Sequence, residues 1–123
     1  MENRHVDVLF HPTARQLGRR EPIALDVDAV IAAAKRTGTV LEVDGMPDRL
    51  DLKDEYVRKA VAAGVPLVID SDAHHPSHLR YSDEFGVAVA RRGWARGGDV
   101  LNTLPVEKLL ARLKDGRRRR RAS

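Results

Sequence analysis

The stretch Val65-Pro66-Leu67-Val68-Ile69-Asp70-Ser71-Asp72-Ala73-His74 decides the fold. Five nonpolar residues run directly into acids, a hydroxyl and an imidazole. A short apolar run bounded by polar residues reads as a strand buried on both faces, here residues 66–69. Toward the N-terminus, residues 51–64 carry Leu52, Tyr56, Ala60 and Ala63 on one helical face, with Asp51 placed as a cap and Gly64 as a stop. Before that helix lies a second apolar run, residues 40–43, followed by Asp44-Gly45-Met46-Pro47. Residues 26–38 repeat the helical pattern: Val27, Val30, Ile31 and Ala34 share a face, Asp26 can cap the start and Gly38 fits just past the end. A third apolar run, residues 6–10, opens into His11-Pro12-Thr13. The order strand, helix, strand, helix, strand with short links predicts a βαβαβ unit with parallel strands, an α/β fold. All three polar patches follow strand C-termini, the end at which α/β sheets and barrels place their sites.

The rest of the chain is less regular. Residues 76–85 suit a helical turn or two and residues 86–90 a short strand, while Arg91-Arg92-Gly93-Trp94 reads as a turn. Residues 106–114 read as a helix with Pro105 at its first position, Thr103 near its cap, and Leu109, Leu110 and Leu113 on its apolar face. Residues 1–115 are expected to form one folded unit and residues 116–123 a basic, disordered tail. The tail carries five consecutive arginines, 117–121. Without them the 22 basic residues fall to 17 against 18 acidic ones, so the formal charge of +4 belongs to the tail and the body is near neutral. Such a run suits a solubilising terminus or, alternatively, nucleic-acid binding by counterion release. The absence of cysteine removes disulfides, thiol nucleophiles and cysteine zinc sites. No apolar run approaches the roughly 20 residues a membrane helix needs, and the first residues do not resemble a secretory signal, so no membrane partner and a cytoplasmic location are expected.

Chemistry concentrates in His11 and in Asp72-Ala73-His74. In extended chain, residues two apart project to the same side, so Asp72 and His74 emerge together, and parallel pairing can bring His11 beside them. Carboxylate oxygen with imidazole nitrogen suits Zn²⁺, Mn²⁺ or Fe²⁺. The alternative is that these are polar strand ends making local hydrogen bonds. Glu42 and Asp70 are candidates for fixing an imidazole tautomer, or for binding a backbone amide or a nearby arginine. Arg15 is the arginine best placed to hold a phosphate at the mouth of such a site. Dinucleotide and P-loop glycine motifs and the G-x-S-x-G elbow are absent from the sequence.

Taken together, several motifs resemble the PHP domain fused to bacterial family X DNA polymerases. They are His11-Pro12-Thr13-Ala14-Arg15, Leu41-Glu42-Val43, Asp48-Arg49-Leu50-Asp51-Leu52, Asp72-Ala73-His74, Ala90-Arg91-Arg92-Gly93-Trp94 and Asp99-Val100-Leu101-Asn102-Thr103. They run in order from about Asn3 to Leu113. Histidinol-phosphatase-type PHP proteins share the metal motifs but match the Arg-Arg-Gly-Trp region less well. The resemblance implies a distorted (β/α) barrel with a cluster of divalent metals, commonly manganese, at the strand C-termini. It implies a 3′–5′ exonuclease or phosphoesterase acting in DNA repair through metal-assisted hydrolysis. It places metal ligands at His11, Asp72 and His74.

The departures are informative. The His-x-His strand that begins such domains, and the ligands after it, are not in this sequence, and by this resemblance Met1 is expected to match an internal methionine of the longer domain. Ala14 stands where the family usually has glycine. The expectation is therefore a partial barrel of three to four β/α units, the C-terminal portion of a PHP domain, with a minority of the ligands. Such a unit is expected to be marginally stable alone, or to associate with itself or with a separate N-terminal PHP or polymerase fragment, because its first strand lacks a neighbour. Three functions remain open on the sequence: a DNA-directed hydrolase fragment, a non-catalytic DNA-associated module, and a small-molecule phosphatase of the histidinol phosphate type.

Overall fold

The computed structural model describes residues 1–114. At its centre is a three-stranded parallel sheet in the order β1 (Val8–Leu9), β2 (Val40–Asp44), β3 (Leu67–Asp70). Val8 lies opposite Val40, Leu41 opposite Leu67 and Asp44 opposite Asp70. The connections are α1 (Val27–Thr37) and α2 (Asp54–Ala63), so the expected βαβαβ order is present. Parallel partners share a face. Leu9, Leu41, Val43, Leu67 and Ile69 therefore form one face, which packs with Val27, Ile31, Ala34, Val57 and Ala60 of the helices. The opposite face carries Val8, Val40, Glu42, Asp44, Val68 and Asp70, so its apolar start gives way to acids at the C-terminal end.

Local chemistry fixes the helix ends. Asp26 Oδ1 accepts the Ala29 amide at 2.9 Å, and Gly38, with φ 71°, donates its N–H to the Ala34 carbonyl. The second helix departs from expectation at its start. It begins at Asp54, after Lys53, and Asp51 does not cap it. Asp51 is fully buried and accepts the Thr13 amide at 2.9 Å. A buried amide in the loop after β1 requires an acceptor, whereas a helix start at the surface can use water. Gly64 stops the helix as expected, in the left-handed conformation.

Residues 86–90 are helical rather than a strand. A single π turn, Ser82–Gly86, runs into α3 (Val87–Arg92). Val87 and Val89 alternate as in a strand, but the buried positions are Gly86, Val89, Ala90 and Gly93. That is i, i+3, i+4, i+7, the helical period. The small residues permit close packing, since a Cβ on Gly93 would lie 2.4 Å from Val57 Cγ1. Trp94, at φ 65°, follows and is exposed, with the Arg58 guanidinium 3.6 Å from its ring centre.

The C-terminal segment locks the edges. Asn102 donates to the Ile69 carbonyl at 2.9 Å and accepts the Ile69 amide at 2.8 Å, so a side-chain amide stands where another strand would pair with β3. The Thr103 hydroxyl faces the Gly97 and Val100 carbonyls and does not cap the helix that follows. That helix is α4 (Val106–Arg112), with Pro105 immediately before it. Its leucines are outside the core: Leu110 is 57% exposed and Leu109 and Leu113 are half-buried. Lys114 ties the segment to the start of the chain, donating Nζ to the Met1 and Asn3 carbonyls and its amide to Asp7 Oδ1. The outer edge of β1 has no strand partner among the described residues, and Phe10 beside it is exposed. The tail at 116–123 and its arginines lie outside the described residues. No helix among the described residues is long and apolar enough to cross a membrane.

Candidate functional site

The three polar patches meet at the C-terminal end of the sheet. From β1 comes His11, half-buried, with φ 27°. From β2 come Glu42 and Asp44, both fully buried. From β3 and the residues after it come Asp70 and Asp72, the latter with φ 48°. Two further residues with left-handed backbone, Ala14 (φ 52°) and Leu50 (φ 46°), belong to the loops around this end. Such a conformation costs a non-glycine residue about 1 kcal/mol. Concentrations of such residues mark sites held in place by their surroundings.

The electrostatics are unusual for an interior. Burial pushes the Glu42 carboxyl up to about 9, helped by the neighbouring Asp70 and Asp44 and opposed by the His11 amide that donates to it. Burial likewise pushes Asp44 up to about 6, reinforced by Asp72 and Asp70 and opposed by the Met46 amide and by Arg49. Asp51 is raised by burial, against the pull of Thr13 and Arg15. Asp44 Oδ1 accepts the Met46 amide at 2.7 Å, whereas Oδ2 is buried without a hydrogen bond. The cation nearest it is Arg49, whose Nε lies 3.8 Å from Asp44 Oδ2 and 3.2 Å from Asp72 Oδ2.

His11 and Asp72 stand at the same end of the sheet. His74 is exposed, its Nδ1 2.6 Å from the Asp72 carbonyl oxygen. Among the described residues, no three His, Asp or Glu side chains are gathered as a ready donor set for a metal. Glu42 binds the His11 backbone amide and not its ring, one of the two roles open to it. Arg15 faces inward: Nε donates to the Arg49 carbonyl at 2.7 Å and Nη2 to the Leu50 carbonyl. Two site residues receive no role from the sequence, Asp44 and Arg49. The signal for Asp44 is an acid two residues beyond Glu42 in an otherwise apolar strand, hence on the same face. Arg49 carries no such signal, because its partners are set by a loop.

The donor chemistry bears on a divalent cation. Carboxylate oxygens and imidazole nitrogen suit Mn²⁺, Zn²⁺ or Fe²⁺. The buried Asp44 Oδ2 lacks a hydrogen bond and faces Arg49 Nε at 3.8 Å, and burial raises the Glu42 and Asp44 carboxyls. The carboxylates and imidazole at this end are donor types that would suit such a cation, without forming a three-ligand set among the described residues.

The structure is a mixed α/β unit whose three-stranded parallel sheet carries acids and a histidine at its C-terminal end. No protein-family profile matches the chain. Over 114 residues, 93% of its length, it is 42% identical to the DNA polymerase/3′-5′ exonuclease PolX of Bacillus subtilis (strain 168). The chain is therefore homologous to a segment of that polymerase. It spans 20% of that relative's length.

Proposed function

We propose that this chain forms the C-terminal share of a PHP-type metal-dependent phosphoesterase site, of the 3′–5′ exonuclease kind that serves DNA repair. The fold in this reading is a partial PHP barrel. Its ligands are His11, Asp72 and His74, and its metal is Mn²⁺, with Zn²⁺ or Fe²⁺ as alternatives. The observation that carries the reading is the gathering of carboxylates at the strand ends, buried Glu42 and Asp44 beside Asp70 and Asp72, with Asp44 Oδ2 lacking a hydrogen bond. A divalent cation bound there supplies an acidified water and neutralises phosphate charge. The chain's own residues do the rest. Glu42 fixes the backbone at His11, and Asp51 fixes it at Thr13. Arg15 braces the 49–50 loop and offers its remaining N–H groups to a phosphate. The open β1 edge with exposed Phe10 supports association with a second copy or with a separate N-terminal PHP or polymerase fragment.

The substrate is DNA in this reading, and a phosphorylated small molecule in the second. A 5′-labelled oligonucleotide and a phosphomonoester, each incubated with Mn²⁺, separate the two. Wild type is expected to shorten the oligonucleotide from its 3′ end. Asp72→Asn and His74→Ala are expected to be at least about a hundredfold slower, the scale of losing a metal ligand or its partner. Equal rates in all three proteins would remove these residues from the site. Faster turnover of the phosphomonoester would favour a histidinol-phosphatase-like activity. A third reading, a non-catalytic DNA-associated module, draws on the Arg58–Trp94 stack, an exposed aromatic beside a cation that suits a nucleobase. Binding of the oligonucleotide without hydrolysis would favour it.

A further inference from the structure

We infer that Arg49 is the resident counter-cation of the strand-end carboxylates and the residue that positions Asp72, and that a divalent cation must compete with it for the same oxygens. The competition rests on the cation-site reading above; the positioning does not.

Arg49 bridges two carboxylates from different strands. Its Nε lies 3.2 Å from Asp72 Oδ2, just beyond β3, and 3.8 Å from Asp44 Oδ2, at the end of β2. Asp44 is fully buried and that oxygen has no hydrogen bond, so Arg49 is the positive charge it faces. The Arg49 side chain is itself only 19% exposed. This is therefore not the solvent-screened type of ion pair that contributes little.

The loop that delivers Arg49 is fixed from both sides. Asp44 Oδ1 accepts the Met46 amide at 2.7 Å, and the Met46 carbonyl accepts the Arg49 and Leu50 amides at 2.8 and 3.0 Å. From the segment after β1, the Leu17 amide donates to the Asp48 carbonyl at 2.6 Å. Arg15 grips the Arg49 and Leu50 carbonyls. Arg15 thus acts on the backbone that carries Arg49. Asp72 is held less firmly: its amide reaches Asp70 Oδ1 at 3.2 Å, and the following residues, Ala73 and His74, are exposed. Arg49 is the group that draws the Asp72 carboxylate toward β2. One charge thereby serves two carboxylates that repel each other. A cation of charge two placed among these oxygens meets a guanidinium already there.

The test has two arms on the full chain. In EDTA, thermal unfolding is measured for wild type, Arg49→Gln, Asp72→Asn and the double variant. Arg49→Gln is expected to lower the midpoint by about 5 °C. Asp72→Asn should lower it in wild type and change it little in Arg49→Gln, because the partner has gone. Additive losses would overturn the positioning role. In the second arm Mn²⁺ is titrated calorimetrically into wild type and Arg49→Gln. The variant is expected to bind about tenfold more tightly, within the usual span of such couplings. Equal affinity would overturn the competition. If Arg49→Gln does not fold, Arg49→Lys, which keeps the charge but loses the planar fork, makes the same comparison with smaller shifts. Absence of Mn²⁺ binding in every variant would sink the cation-site reading, and the unfolding arm alone then decides the role of Arg49.

Discussion

Glu42→Gln is expected to stabilise the metal-free protein at neutral and alkaline pH and to flatten the dependence of its stability on pH. Glu42 has its carboxyl raised from 4.5 to about 9 by burial, with Asp70 and Asp44 adding to the rise. Between those values the folded chain holds a proton that the unfolded chain has released. Stability therefore falls as pH rises through this window, from its full value below 4.5 to its lowest above about 9. Every tenfold weakening of a carboxyl's acidity on folding costs about 1.4 kcal/mol once the group must ionise, so the total fall is on the order of several kcal/mol. A glutamine amide reproduces the protonated acid: its oxygen accepts the His11 amide and its nitrogen donates toward Asp70. Urea unfolding in EDTA at pH 5, 7 and 9 checks this. The wild-type midpoint should drop across the series and that of Glu42→Gln should drop much less. A shallower fall from Asp44, raised from 3.8 to about 6, should remain in both proteins at the acid end. Parallel pH profiles for the two proteins would mean that Glu42 is not the group responsible.

Gly45→Ala is expected to cost about 3 kcal/mol, the upper part of the range for forced overpacking. Gly45 follows β2 at the strand-end site and is buried. A Cβ there would lie 2.4 Å from the Tyr81 carbonyl oxygen, 2.8 Å from its carbon and 2.9 Å from the Asp70 carbonyl oxygen. All three are backbone atoms, so no rotamer change relieves the contact. Either β3 or the turn at Tyr81 must move, and β3 carries Asp70 with it. Gly98 is the control, since nothing lies within 4 Å of a Cβ placed there. Urea unfolding should show Gly98→Ala close to wild type and Gly45→Ala well below it. Equal midpoints for the two variants would show that the turn at Tyr81 yields easily.

The fold is legible in the sequence where one segment's own periodicity and caps determine its structure. Asp26 and Gly38 bound α1 as their chemistry requires, and the three apolar runs form the three parallel strands. Legibility ends where the deciding partner is distant in sequence. Asp51 has the residue type and position of a cap, yet it serves the Thr13 amide, 38 residues away. Residues 86–90 alternate like a strand, but the small residues Gly86, Ala90 and Gly93 allow close helical packing that only the neighbouring elements reveal. The same division holds at the site. His11, Asp72 and their strand-end placement follow from local pattern. The burial of Asp44 and the reach of Arg49 depend on how the 46–50 loop folds back, and no single segment encodes that. The motifs carry the relationship to family X polymerases further than composition or spacing alone, since several short matches in fixed order constrain more than any one.

The central claim is that the acid-rich strand end of this chain takes a divalent cation through Asp72. Calorimetric titration of Mn²⁺ into the wild-type chain and into Asp72→Asn, at about pH 7.5 in low salt, tests it most directly. The claim predicts saturable binding to wild type and binding weaker by at least about tenfold in Asp72→Asn, the scale of losing a ligand. A featureless titration of wild type, or equal affinity in the two proteins, would contradict it.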